Sequence, residues 1–387
     1  MKRLAAALLA ASLLLLPARA AADGGAADTG AAQPVSVDAA AAVLMEKETG
    51  SILCAQNAHD KLEPASVTKV MTLLLVMEAL DEGRISREDM VSVSAYAASM
   101  GGSQVYLKEG EQMSVDDLLK AVAVASGNDA AVALAEHLAG SEEAFVTLMN
   151  QRAAQLGMED TCFLNCTGLP AAGHLTSAYD IALMSRELIA NHPSIRDYTT
   201  IWMDSLRDGQ FQLSNTNKLI RFYQGATGLK TGSTDAAGYC LSATAERDGM
   251  ELIAVILKAP SSAARQQAAA TLLNYGFANY TLLDISPDQA LPPVDVLLGE
   301  QSYVQPRLAQ SSRILVEKAQ VNGVTTSVQL CQDVQAPVEA GQKLGEMAVL
   351  IDGVQAQTIP IVAEQAVERI SISGLFSKLL RGLFMAG

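Results

Sequence analysis

The stretch PASVTKVMTLLLVMEAL, from Pro64 to Leu80, carries apolar side chains on nearly every side of a helix, the pattern of a helix enclosed by protein. Yet Ser66 and Lys69 stand in its first turns. A buried lysine is costly unless it is paired or uncharged, so the amine needs a chemical reason for its place. With 387 residues, 50% of them hydrophobic, the chain has enough material to build such an enclosure from two or three compact domains.

Flanking segments predict what surrounds the helix. Ala41–Met45 and Ser51–Cys54, joined by a turn over Glu46–Gly50, read as a hairpin. Ser114–Leu138 turns helical, with Leu118, Leu119, Val122, Leu134 and Leu138 at core spacing; Ser141–Leu156 and Ser177–Ile189 follow as helices. After Gly228 strand patterns return in Tyr239–Thr244 and Leu252–Leu257, across a turn at Arg247–Gly249, and Ala263–Asn274 is a helix. Strands at both ends with helices between them predict an α+β domain, one sheet flanked by a helical body.

Pro287, Pro292 and Pro293 interrupt this pattern, and beyond them only short β-type runs are legible: Ile314–Val316, Thr325–Leu330, Met347–Ile351 and Thr358–Val362. They predict a small all-β domain over residues 282–372. The tail, 373–387, sets Leu375, Phe376, Leu379, Leu380, Leu383 and Phe384 on one helical face and Ser377, Lys378 and Arg381 on the other. Too short to span a bilayer, it reads as a helix lying in a membrane surface, in preference to one docked on its own domain. At the other end Lys2 and Arg3, the apolar run Leu4–Leu16 and Ala18-Arg19-Ala20 form a secretory signal peptide over residues 1–20. An Ala/Gly/Asp-rich flexible leader, 21–36, connects it to the catalytic domain, 37–281. Export to the outer face of the cytoplasmic membrane is the expected localisation.

A formal net charge of −15 argues against a nucleic-acid partner. His59, His137, His174 and His192 form no metal-binding pattern with each other or with the cysteines, so the expected chemistry uses neither metal nor cofactor. Cys54, Cys162, Cys166, Cys240 and Cys331 are read as buried free thiols, in preference to a Cys162–Cys166 bridge.

Serine and lysine at i and i+3 share a helix face. A serine hydroxyl is a poor nucleophile until a base takes its proton, and lysine can be that base only when neutral, as burial beside a second cation would make it. Ser126-Gly127-Asn128 follows, small enough to admit a substrate, with a hydroxyl to relay a proton and an amide to hold a peptide group; alone it would read as a helix cap. Lys230-Thr231-Gly232 comes next: a cation, a carboxylate-binding hydroxyl and a glycine that lets a substrate backbone approach a strand edge, though alone it would be a turn.

In this order, S-x-x-K, S-G-N and K-T-G resemble the signature of penicillin-binding proteins and class A β-lactamases. PASVTKVMT, SGNDAAVALAE, TSAYDIALMSRELI and GLKTGSTDAAGYCLSATAERDG resemble the low-molecular-mass D-alanyl-D-alanine carboxypeptidases over about residues 38–280. Asn165-Cys166-Thr167-Gly168-Leu169 departs from that family, which more often has Pro and His where Cys166 and Thr167 stand. The resemblance implies a β-lactamase/transpeptidase-like fold and a substrate that is a peptidoglycan stem peptide, with β-lactams as inhibitors. It also implies roles. Ser66 would be the nucleophile and Lys69 its base; Ser126 and Lys230 would relay a proton, and Asn128 would orient the acyl chain. The N–H groups of Ser66 and Ser233 would hold the oxyanion beside Gly232, while Thr231 and Arg265 would bind the substrate carboxylate. For Arg265 a solvated helix arginine is the plain alternative. Two other functions compete: a β-lactamase using Glu187 to activate water, and a catalytically silent, membrane-tethered wall-binding protein.

Overall fold

Strand β1 (Ala41–Glu46) buries all six of its residues, because protein covers both faces of the sheet it enters. Alternation sorts them. Ala41, Val43 and Met45 join the larger core with Ile253, Val255 and Leu257. Ala42 and Leu44 join a second core with Leu252, Ala254 and Ile256 on the opposite face. The computed structural model describes residues 35–309 and 312–377. The expected signal peptide, nearly all of the leader and the tail residues 378–387 lie outside the described residues.

The central sheet adds β2 (Ile52–Gln56), β3 (Ala226–Thr234), β4 (Gly238–Arg247) and β5 (Met250–Ala259) in the order β2-β1-β5-β4-β3, every pair antiparallel. The larger core holds α1 (Lys69–Asp81), α2 (Val115–Ala125), α3 (Asn128–Ala139), α4 (Glu142–Gln155) and α5 (Ala178–Asn191). As expected, α1 is apolar all round and sunk in this body: Val70–Met77 is buried without a break. Ser114, Ser141 and Ser177 each accept a backbone N–H at the start of the helix that follows, the caps that set those boundaries. The far face of the sheet is covered by α6 (Ser262–Asn279).

Four expectations change. Helical Ser114–Leu138 is two helices, broken at Ser126-Gly127. K-T-G, read alone as a turn, lies within nine-residue β3 at the sheet edge. The helix expected to end at Asn274 continues to Asn279; at Gly276 it lies close against the sheet, a β-carbon there standing 2.4 Å from Leu252 Cδ1. The thiols are free, but Cys162 and Cys331 are exposed and Cys54 is half-buried, so only Cys166 and Cys240 are buried as expected.

Beyond α6 the described residues are β-rich, with one 3-10 segment (Lys318–Gly323) and a short helical stretch at 372–377. Tyr280–Ile285 pairs with Ser312–Glu317, and Tyr280, Leu282 and Leu315 pack on the α6 core. A four-stranded antiparallel sheet buries Met347, Val349, Ile359 and Ile361. Arg313 joins the two parts, bonding Glu48 Oε2 at 2.7 Å.

Candidate active site

Chain entry into α1 sets the nucleophile. Ala65–Thr68 forms a 3-10 turn that runs into the helix, and at three residues per turn positions i and i+3 stack directly. Ser66 Oγ and Lys69 Nζ are 3.0 Å apart. The lysine is wholly buried; its amine also reaches Asn128 Oδ1 at 2.5 Å and the Thr167 carbonyl at 2.7 Å. Burial pulls its pKa down to about 7, against a small upward pull from Cys166 and Asp129. A neutral amine has two hydrogens and one lone pair. Asn128 Oδ1 and Thr167 O can only accept, so they take the hydrogens, and the lone pair is left facing the Ser66 hydroxyl.

The S-G-N segment is the break between α2 and α3. Ser126 closes α2 in the left-handed region, φ 66°, and Gly127 opens α3 without a side-chain cap. Neither the Ser126 nor the Asn128 side chain caps the helix that follows, so that plain reading fails. Ser126 is 3% exposed, and its Oγ has no hydrogen-bond partner among the described residues. An orphaned hydroxyl in a cleft is a group waiting for a ligand. Asn128 spends its oxygen on Lys69 and one N–H on the Gly101 carbonyl, leaving its second N–H for a substrate. Next to it, buried Asp129 takes the N–H groups of Val105 and Leu107 and so holds the loop over the cleft.

Edge strand β3 supplies the opposite wall. A β-carbon on Gly232 would stand 2.8 Å from both Pro64 O and Ser66 N, so only glycine lets the strand approach the nucleophile's turn this closely. Ser233, one residue on, is exposed near the end of the strand. Lys230 is buried, with Nζ 3.0 Å from Thr231 O. Burial first, then Lys69 and Arg265, push its pKa well below the ordinary lysine value, so before a carboxylate arrives it is a weaker cation than the sequence implies. Thr231 donates to Thr216 Oγ1 at 2.7 Å. Arg265 is not a solvated helix arginine: 6% exposed, it donates from Nη1 to the carbonyls of Gly232 (3.1 Å) and Cys240 (3.2 Å). It therefore clamps the ends of β3 and β4 together behind the K-T-G residues.

Several residues here carry no motif. Asn165 Oδ1 accepts the N–H groups of Thr167 (3.2 Å) and Gly168 (2.7 Å), folding the loop that presents the Thr167 carbonyl to Lys69. Because that contact is a backbone carbonyl, Cys166 and Thr167 can depart from the family pattern without removing it. A β-carbon on Gly168 would lie 1.8 Å from Ala65 O, so this loop abuts the nucleophile's turn. Buried His174 holds Thr68 Oγ1 at 2.8 Å. Thr216 is signalled only by its place in a short polar loop.

Glu187 belongs elsewhere. Its Oε1 pairs with Arg152 Nη2 at 2.6 Å, and Arg152 also holds Glu78 Oε1 at 2.7 Å. Glu78 lies about 13 Å beyond Lys69 along α1 at the helical rise, so Glu187 does not face Ser66. Glu78, Glu187 and His192 gather there, but Arg152 already neutralises the carboxylates.

A serine hydroxyl 3.0 Å from a wholly buried lysine amine, beside a strand edge that can take up an extended peptide, is the arrangement of serine peptidases with a lysine base. Residues 27–261 match the D-alanyl-D-alanine carboxypeptidase family, peptidase S11, and residues 284–369 match the C-terminal domain of penicillin-binding protein 5. The chain belongs to this family. The D-alanyl-D-alanine carboxypeptidase DacF of Bacillus subtilis is 41% identical over 337 residues, covering 86% of each chain. Penicillin-binding protein 5 from Haemophilus influenzae has a similar structure, with TM-score 0.78 and 30% identity over 88% of this chain and 100% of that one. Penicillin-binding protein D2 from Listeria monocytogenes, in its ampicillin-bound form, covers 63% of this chain and 100% of its own at TM-score 0.56 and 34% identity.

Proposed function

We propose that this serine-type D-alanyl-D-alanine carboxypeptidase removes the terminal D-alanine of peptidoglycan pentapeptide stems through an acyl-enzyme on Ser66. The observation that carries the reading is the fully buried Lys69 amine 3.0 Å from Ser66 Oγ, with its two hydrogens already committed. Ser66 Oγ attacks the carbonyl carbon of the penultimate D-alanine, and its proton passes to Lys69 Nζ. The N–H groups of Ser66 and Ser233 hold the oxyanion, a contribution of about 10²–10³ in rate. As the C–N bond breaks, the proton returns through Ser126, beside Lys230, to the departing amine of the terminal D-alanine. Water then cleaves the ester. Asn128 orients the acyl chain with its remaining N–H. The substrate carboxylate meets Thr231 and Lys230, and its negative charge favours the protonated form of Lys230. Arg265 acts through the backbone carbonyls it holds and through its positive charge.

β-Lactams acylate the same serine, in keeping with the ampicillin-bound relative. With Glu187 tied to Arg152, the glutamate a β-lactamase reading would use is not free to clear that ester, which argues against a β-lactamase. Localisation follows from the ends of the sequence: export by residues 1–20 and attachment to the outer membrane face by the amphipathic tail. The exposure of Ile372 (90%) and Phe376 (64%) supports a tail turned away from its own domain. Mass spectrometry after incubation with penicillin tests the central claim. We expect a stable adduct on the Ser66 peptide and D-alanine release from a peptide ending in D-Ala-D-Ala; an adduct elsewhere, or no release, rejects it.

A further inference from the structure

The lone pair of Lys69 faces Ser66 only while Asn128 Oδ1 and the Thr167 carbonyl hold the two amine hydrogens. Each acceptor depends on a loop. Asn128 donates its side-chain N–H to the Gly101 carbonyl and its backbone N–H to the Ser103 carbonyl, both at 2.7 Å. Thr167 follows Cys166, whose carbonyl accepts the buried Thr72 hydroxyl at 2.6 Å, one turn along α1 from Lys69. The two loops meet at the amide: a β-carbon on Gly102 would stand 2.8 Å from Asn128 Nδ2 and 3.6 Å from Leu169 Cδ2.

One carboxylate that the reaction above does not use reaches both loops. Glu142, half-buried in the first turn of α4, accepts the Cys166 N–H on Oε1 at 2.9 Å and the Tyr96 hydroxyl on Oε2 at 2.6 Å. Tyr96 belongs to the short helix Ala95–Ala98, which runs into the loop of Gly101 and Ser103. Its bond to Glu142 raises the Tyr96 pKa, so the hydroxyl remains a donor. Cys166 stays a neutral thiol, since burial and then the Glu142 carboxylate raise its pKa. Its backbone can donate because it is not proline, the residue the family more often has there, which lacks an N–H.

We propose that Glu142 is a positioning residue for acylation: by tying segments 95–103 and 165–169 together, it fixes the two acceptors that aim the Lys69 lone pair at Ser66. The inference rests on the reading of Lys69 as the base. It is tested by the rate of acylation by penicillin against pH, in the full chain and three variants. Glu142→Ala should lower the plateau rate by about 10²-fold, the cost of a misplacement of about 1 Å. The midpoint of its profile should also rise, because burial is what holds the Lys69 pKa down and a retreating loop admits water. Asp129 and Lys230, the charged groups that face the amine from α3 and β3, keep their places. Glu142→Gln can still accept from Cys166 through its amide oxygen and donate to the Tyr96 oxygen, so its plateau should stay within about threefold of wild type, with an unmoved midpoint. Tyr96→Phe alters a half-exposed ring outside the core, cuts one charge-assisted bond and should lower the plateau by about tenfold. A wild-type rate and midpoint in Glu142→Ala or Tyr96→Phe, or a loss that Glu142→Gln does not restore, overturns the positioning role alone. No acylation of the wild type overturns the reading of Lys69 and this role with it.

Discussion

Lys69 sets the pH range in which Ser66 can be activated. Its pKa of about 7 lies below the ordinary lysine value because burial penalises the ammonium form, so the amine is neutral above about pH 7 and protonated below. Only the neutral form accepts the serine proton. The rate of acylation by penicillin should therefore fall about tenfold per pH unit below 7 and level off above it. Lys69→Arg, whose guanidinium keeps its proton throughout, should react at background rate at every pH; stopped-flow acylation across pH 5–9 checks both outcomes. Ser126 allows a cleaner separation of chemistry from folding. Its hydroxyl has no partner to lose, and its φ of 66° suits glycine better than serine. Ser126→Gly should stay within about 1 kcal/mol of wild-type stability in denaturant titration. The same variant should lose about 10²–10⁴-fold in kcat as the proton relay disappears.

Among the elements, the meeting of β3 with the 3-10 turn decides whether the oxyanion site exists. Gly232→Ala would put a β-carbon 2.8 Å from Ser66 N and Pro64 O, both backbone atoms that cannot swing aside. The strand must retreat, and we expect D-alanine release to fall by about 10²-fold or more, the loss of an oxyanion donor, while far-UV circular dichroism stays near wild type. This contact was legible in the sequence only as K-T-G. The three residues carry too little hydrophobic pattern to mark a strand, although β3, with one strand partner, is buried by the elements around it. Helix α1 was readable because burial on all sides leaves an unbroken apolar run, and β1 and β5 because protein covers both their faces. Ser126-Gly127 was recognised for its residues but not for its geometry. Apolar periodicity runs on through the break, and the left-handed Ser126 leaves no trace in composition. The Thr167 carbonyl stayed hidden because it is a backbone group, and Asn165 and Thr216 because single polar side chains in loops leave no pattern. For Arg265 the sequence left a carboxylate-binding role and a solvated helix position both open, because the two carbonyls that draw it inward belong to distant strands.

At the scale of the whole molecule, the β-rich part is built onto the catalytic part through shared core and charge. Tyr280, Leu282 and Leu315 pack on the α6 core, Lys318 donates to Phe277 O at 2.7 Å, and Arg313 pairs with Glu48. A tail leaving this β-rich part can therefore hold the catalytic cleft at a membrane surface only if the tail itself binds lipid. Ile372, Leu375 and Phe376 present exposed apolar surface with no covering among the described residues. The sequence continues with Leu379, Leu380, Leu383 and Phe384, interleaved with Lys378 and Arg381. In the proposed membrane attachment, apolar burial at about 25 cal/mol per Å² would supply most of the binding, and the two cations would add an attraction that salt screens over about 8 Å at physiological ionic strength. Deleting Ser373–Gly387 should thus move the protein from the pellet to the supernatant when sedimented with vesicles containing anionic lipid, with penicillin labelling of Ser66 unchanged. Raising the salt should weaken binding of the full chain only in part, because the apolar contribution persists. A truncated protein that still sediments, or that loses penicillin labelling through a fall in thermal stability, would place the tail in the fold of its own domain.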